Sequence, residues 1–317
     1  MGKPHVLPVF VLCMLTYTWT TLSIPFIVLP GLGDECKNQG VKHFTELLSN
    51  WSGSQGYCIK IGDGSWDSWT MPLMEQTTIA CEKGNMIGRG LVEFCDGGPQ
   101  VKNFISLAGP HAGTASLPFC GSEWLCVLLD DLVKLIIYSR FVQEHLGPSN
   151  YFKIPTDIFA YINGCKFLPK LNNEIMNMKN YTYKLRFASL ENLVLIMFEQ
   201  DAVLIPKETS WFGYFPDGAF HPVLPAQETK LYTEDWIGLK TLDEAGKVKF
   251  IKVSGNHLEI SVGEMKRYIV PFLKDQASTI ALPKVVESSS GWQWSLLSFA
   301  FEMAGLNEGR QLLRIMG

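Results

Sequence analysis

The stretch Pro25-Phe26-Ile27-Val28-Leu29-Pro30-Gly31-Leu32-Gly33-Asp34 decides how this chain is read. Its first half is a continuous apolar run, the pattern of a strand buried on both faces, as in a parallel sheet. Its second half is a glycine-bearing turn. Such a turn lets the backbone leave a sheet sharply, and its N–H groups, that of Leu32 among them, can face a developing oxyanion. Glycine turns after strands are common, so this one alone names no chemistry. A helix follows, with Val41, Phe44, Leu47 and Leu48 on one face.

Further along, residues 57–61 read as the next strand. Helical patterning runs over 71–83 and again over 85–95, separated by Gly84. Residues 101–107 form a strand that ends in Gly109-Pro110-His111-Ala112-Gly113. From about 114 to 190 strands give way to helical segments, as at 124–142. Strands return at 193–198 and 247–253, and a closing helix covers 264–274. Strand–helix alternation interrupted by a helical insertion predicts an α/β fold: a doubly wound, mostly parallel sheet with a helical cap. With 317 residues, 47% of them apolar, the chain can build this as one domain over 24–278. The tail 279–317 stands apart. It carries Ser288-Ser289-Ser290-Gly291 and an apolar stretch over 292–306 interrupted by Glu302, too short to span a bilayer and readable as a loosely docked helix.

Residues 1–23 have the form of a secretory signal: Lys3, then an apolar run to Leu22. The competing reading is a membrane anchor, which Pro8 and the threonines of the run argue against. Removal of the signal leaves Cys36, Cys58, Cys81, Cys95, Cys120, Cys126 and Cys165, an odd number, so disulfides would leave at least one thiol over. Asn50-Trp51-Ser52 and Asn180-Tyr181-Thr182 are glycosylation sequons in keeping with a secretory route. A net charge of −4 without a basic run argues against a nucleic-acid partner. No His-x-x-x-His or paired Cys-x-x-Cys points to a metal, and no cofactor is indicated.

Two residues suggest catalysis. Asp201 lies just past the strand 193–198. His257, in Ser254-Gly255-Asn256-His257-Leu258, lies between the last strand and the last helix. An acid and then a histidine at the carboxyl edge of the sheet is the order an α/β-hydrolase uses, with the nucleophilic serine upstream. A solvated aspartate and an ordinary loop histidine fit the same pattern. His111 reads as a structural loop residue.

Longer motifs sharpen this. Trp211-Phe212-Gly213-Tyr214-Phe215, the segment Gln227-Glu228-Thr229-Lys230-Leu231-Tyr232-Thr233-Glu234-Asp235 leading to Gly238-Leu239-Lys240, and Gly255-Asn256-His257-Leu258 resemble the lysosomal palmitoyl-protein thioesterase family. So do Gly31-Leu32-Gly33-Asp34 and Ile105-Ser106-Leu107 leading into His111-Ala112-Gly113. The resemblance spans roughly 25–276. It implies an α/β-hydrolase that removes fatty acyl groups from cysteines of S-acylated proteins, or hydrolyses acyl thioesters, in a lysosome, a vacuole or outside the cell. It places the acid on Asp201, the base on His257 and an oxyanion donor on Leu32. It implies bridges between Cys81 and Cys95 and between Cys120 and Cys126.

The departure from the family lies in what is absent. Its members carry Gly-x-Ser-x-Gly behind a strand, between the helix of Cys81 and the helix of Cys95. Here Ala80-Cys81-Glu82-Lys83-Gly84-Asn85-Met86 runs on without either. Ser54, in Ser52-Gly53-Ser54-Gln55-Gly56, is the nearest imitation of an elbow, but a helix precedes it where a strand is needed. Loss of a central strand implies either that its neighbours close up or that the sheet splits, moving Asp201 and His257 relative to Leu32 by about 4.8 Å. With only a short loop left between Cys81 and Cys95, both fall on near-continuous helix and their bridge is in question. The chain is thus expected to be a thioesterase-family hydrolase impaired in catalysis. The alternatives are a non-catalytic acyl-chain-binding member, with the apolar cap run 124–137 as its groove, and an exon-skipped inactive variant.

Overall fold

A computed structural model describes residues 24–83, 88–115 and 133–274, and the backbone of 314–316. Residues 1–23, Cys120, Cys126, the cap segment 116–132 and most of the tail lie outside these described residues.

The chain enters through strand β1 (Phe26–Val28), turns at Gly31–Asp34 and forms helix α1 (Gln39–Ser52). Helix α1 buries Val41, Phe44 and Leu48 and stops at Gly53, whose left-handed φ of 74° lets its N–H close back on the Ser49 carbonyl. Strand β2 (Gly56–Cys58) then lies parallel to β1. Helices α2 (Asp67–Thr70), α3 (Leu73–Lys83) and α4 (Gly88–Phe94) follow. Strands β3 (Asn103–Leu107), β4 (Asn192–Phe198) and β5 (Val248–Val253) form a second parallel sheet in that order, with β4 in the middle. Its register runs from Asn103↔Asn192 to Leu107↔Ile196 and from Leu193↔Val248 to Phe198↔Val253. Between β3 and β4 the described cap is helical, and includes Arg140–His145, Ile158–Gly164 and Tyr181–Ala188.

Side chains of β4 alternate between two apolar layers, as the two-residue period of a strand requires. Val194, Ile196 and Phe198 pack with Phe44, Leu48, Ile260 and Met265, while Leu193 and Leu195 pack with Phe187, Phe212, Ile237 and Leu239. On β5, Lys249 and Lys252 are exposed, and charge of this kind discourages pairing by another chain at an edge strand.

Among the described residues no hydrogen-bonded ladder joins β1 to β3: the parallel strands fall into two separate sheets. They nevertheless share a core, since Phe26 and Val28 of β1 and Ile105 and Leu107 of β3 pack against the layer under β4. Two further strands were not read from sequence. β6 (Glu259–Ser261) follows the His257 loop, and β7 (Arg314–Met316), from the tail, pairs with it in parallel. The helix Val262–Tyr268 starts on a capping box, in which Ser261 accepts from the Glu264 N–H and the Glu264 carboxylate accepts from the Ser261 N–H.

The structure corrects the expectation of near-continuous helix across Cys81 and Cys95. Fourteen residues of straight helix would separate them by about 21 Å. Their Cα atoms lie 5.5 Å apart and their sulfurs are bonded, so α3 and α4 fold back on one another. Gly90 permits the close approach: a Cβ there would lie 2.8 Å from Cγ2 of Thr77.

Candidate active site

The carboxyl ends of β4 and β5 carry the two candidate catalytic side chains. β4 ends at Phe198 and the chain turns out of the sheet at Asp201, whose side chain is fully buried. Its Oδ1 accepts hydrogen bonds from the N–H groups of Val203 (2.8 Å) and Leu204 (3.1 Å), which fix the carboxylate. Its Oδ2 lies 2.8 Å from Nδ1 of His257. His257 comes from the loop after β5 and keeps 18% of its side chain exposed, so the ring is held from behind and open in front. With the proton on Nδ1, the aspartate fixes the tautomer and leaves Nε2 able to accept a proton.

The glycine turn after β1 reaches this loop. A Cβ on Gly31 would lie 3.9 Å from Cδ1 of Leu258, the residue after His257, which takes the left-handed conformation at φ 61°. The turn is fixed elsewhere too. Gly33 N–H donates to Oγ of Ser68 (2.8 Å), and a Cys36–Cys58 disulfide ties the segment after the turn to the end of β2. That pairing was not read from sequence, because seven cysteines allow many connectivities. Cys165 is the free thiol among the described residues. It is buried, donates to the Asn150 carbonyl (3.1 Å), and burial pushes its pKa up to about 12.

Ser54 and Ser106 are both buried. Ser54 is 2% exposed and its hydroxyl donates to the Leu273 carbonyl at 2.6 Å, so it staples the end of α1 to the C-terminal helical region. Ser106, on β3, lies 2.9 Å from Nε2 of His111, and both are buried. The His111 ring stacks on Phe212 with centroids 4.7 Å apart, and burial, with the nearby Arg89 charge, drives its pKa well below the usual value and keeps it neutral.

A buried polar network behind the site also escaped the sequence reading. Arg89 of α4 donates to the carbonyls of His111 (3.3 Å) and Leu171 (3.1 Å) and to Oδ1 of Asn172 (2.8 Å). It pairs with Glu93 at 2.9 Å and lies against the rings of Phe187 and Phe212, at 5.2 and 5.0 Å. It therefore binds α4, the His111 loop and the cap together. The other Glu93 oxygen is buried without a hydrogen-bond partner, and desolvation outweighs Arg89 to raise the Glu93 pKa to about 7.

With this geometry in view, the comparisons with known proteins decide the family. The palmitoyl protein thioesterase family model matches residues 25–257, more than half of the chain. The chain belongs to that family. The chain is 39% identical over 183 residues to palmitoyl-protein thioesterase 1 of Caenorhabditis elegans, covering 57% of this chain and 60% of that protein. It is 33% identical over 240 residues to palmitoyl-protein thioesterase 3 of Dictyostelium discoideum, covering 68% of this chain and 81% of the relative. It is 34% identical over 187 residues to a lysosomal thioesterase PPT2 homolog of Drosophila melanogaster, covering 57% and 61%. The matches to the worm and fly proteins thus span about three fifths of those relatives. Family membership brings the α/β-hydrolase fold, in keeping with the parallel sheets and helices described above. Among the described residues no helix is long and apolar enough to cross a membrane.

Proposed function

We propose that this chain is built on the scaffold of a hydrolase that cleaves fatty acyl thioesters from the cysteines of S-acylated proteins, and that it lacks the serine such a hydrolase needs. The observation that carries the first half is the 2.8 Å Asp201–His257 pair at the ends of β4 and β5, beside the glycine turn. In an intact site a serine Oγ would attack the thioester carbonyl while His257 Nε2 takes its proton. The carbonyl oxygen, now negative, would be held by backbone N–H groups including that of Leu32. Collapse would expel the cysteine thiolate, protonated by His257, and water would repeat the cycle on the acyl-enzyme.

The second half rests on sequence and is supported by the sheet. Residues 80–90 carry no Gly-x-Ser-x-Gly, and among the described residues β1 and β3 have no ladder between them. Ser54 and Ser106 have hydroxyls committed to buried contacts. Asp201 and His257 stand paired despite that break, which favours an exon-skipped, inactive form of a working enzyme over a chain evolved only to hold acyl groups.

A luminal or secreted location fits this reading. It agrees with the leader at 1–23, the disulfides, and relatives named as lysosomal thioesterases. Asn50 and Asn180 are the proposed glycosylation sites. Asn180 uses its side-chain oxygen to cap the helix Tyr181–Ala188, through the Thr182 N–H at 2.9 Å, and a glycan attaches at its nitrogen instead.

The test is palmitoyl-thioester hydrolysis by the secreted chain beside a version with a strand and Gly-x-Ser-x-Gly unit restored after Lys83. Turnover by the restored protein alone is the expected result. Equal turnover by both would refute the absence of a nucleophile, and turnover by neither would refute the thioesterase scaffold.

A further inference from the structure

We infer that Gln200 is a positioning residue for His257, acting by carrying the β4–β5 ladder one rung past the point where the main chain must leave the sheet. The inference rests on the reading of Asp201 and His257 as acid and base.

The ladder alternates regularly from Leu193 N–H on the Lys247 carbonyl to Glu199 N–H on the Val253 carbonyl, both at 2.9 Å. In a parallel pair the next bond would run from Gly255 N–H to the Glu199 carbonyl. That bond is replaced. The Glu199 carbonyl accepts from Nζ of Lys207 at 2.5 Å. Gly255 N–H donates to the side-chain oxygen of Gln200, also at 2.5 Å, and Ser254 Oγ lies 3.5 Å from the same oxygen. The Gln200 N–H in turn donates to the Gly255 carbonyl at 3.0 Å. Gln200 thus satisfies both backbone groups of Gly255, two residues before His257, and is itself the residue before Asp201.

The substitution follows from a geometric conflict. For Asp201 to face His257, the main chain must turn out of the strand at 199–201, so its carbonyl cannot serve the next rung. A side-chain amide oxygen with the reach of glutamine serves instead. Gly255 is fitted to the same purpose. Its φ of 123° is open to glycine, and a Cβ there would lie 2.7 Å from the Glu259 carbonyl oxygen. The two loops that carry the pair are thereby joined at a second point besides the Asp201–His257 bond itself.

The bond uses glutamine only as an acceptor, which makes the inference testable by shape and chemistry. Gln200→Met keeps the length and removes the acceptor. Gln200→Glu keeps the acceptor. Gln200 is exposed, so neither change disturbs the core. The experiment is NMR on the full chain, following amide exchange at Gly255 and the downfield Nδ1–H resonance of His257, with Asp201→Asn as control. In Gln200→Met the Gly255 amide should exchange roughly tenfold faster, as loss of one hydrogen bond implies, and the His257 resonance should broaden or vanish without a change in melting temperature. Gln200→Glu should restore both. Faster exchange with an unchanged His257 resonance would overturn the inference, leaving Gln200 a local staple, and so would unchanged exchange or a failed rescue by glutamate. If Asp201→Asn leaves the His257 resonance untouched, the acid–base reading itself fails, which is a separate result.

Discussion

Strands β1 and β4 have the same kind of sequence and opposite fates. Phe26-Ile27-Val28 and Leu193-Val194-Leu195-Ile196-Met197-Phe198 are both unbroken apolar runs, the composition of strands buried on two faces. On β4 every one of those residues is buried, and most have no exposed surface at all. On β1 none is fully buried and Ile27 is 46% exposed. Among the described residues β4 is flanked by two strands and β1 by β2 alone. The β4 side thus carries a strand with a partner on each edge and, past it, the paired Asp201 and His257, whereas β1 keeps the sequence of an interior strand with a partner on one edge among the described residues.

The largest expected effect comes from supplying that neighbour. Restoring a strand and a Gly-x-Ser-x-Gly unit after Lys83 should raise palmitoyl-thioester turnover on the order of 10⁴- to 10⁶-fold, the scale on which removing a triad nucleophile acts. It should also lower the exposure of Ile27, read as slower exchange of the β1 amides. Within the restored protein, Asp201→Asn should lower kcat about 10³- to 10⁴-fold with little change in KM, because it spoils the tautomer and orientation of His257 rather than substrate binding. A comparable loss in KM alone would place Asp201 outside the machinery.

Stability should separate the two strands in the unaltered chain. Ile196→Ala removes a fully buried side chain and should cost about 2–5 kcal/mol, whereas Ile27→Ala on the exposed strand should cost about 1 kcal/mol or less. Equal losses in urea melts would show that β1 is buried as deeply as β4 and would break the comparison.

The smallest effect concerns the Arg89–Glu93 pair. The Glu93 pKa is raised from an ordinary 4.5 to about 7. The folded chain therefore holds a proton on Glu93 that the unfolded chain has lost between those values, so the Glu93 contribution to stability rises as pH falls from about 7 toward 4.5. Because buried, neutral His111 acts in the opposite sense, the test is the comparison with Glu93→Gln: on going from pH 7.5 to pH 5 the unaltered chain should gain roughly 1–3 kcal/mol relative to that variant. Greater stability at pH 7.5, abolished by the same substitution, would contradict the raised pKa.

How much of this was legible in the sequence follows from the range of each interaction. The strands 193–198 and 247–253 were readable to within a residue, because burial writes itself into a run of apolar residues. Asp201 and His257 were readable as candidates because their place after two successive strands needs no knowledge of packing. The pairing of Cys36 with Cys58 was not, since connectivity is a matter of three-dimensional proximity. β6, three residues long, leaves too short a pattern to detect. Arg89 and Glu93, four apart on a helix, look like a solvated surface pair, and only the packing of Phe187, Phe212 and the cap around them makes the pair a buried one. Gln200 gives no sequence signal at all, because its role lies in replacing a carbonyl that the fold has turned away.

The central claim is that the acid and base are in place and the nucleophile is not. Labelling by a fluorophosphonate, with the modified residue located by mass spectrometry, tests it most directly on the intact chain and on the restored one. The account predicts no labelling of the chain as it stands and stoichiometric labelling at the new elbow serine of the restored protein. Labelling of the unaltered chain at Ser54 or Ser106, abolished by His257→Ala, would contradict it.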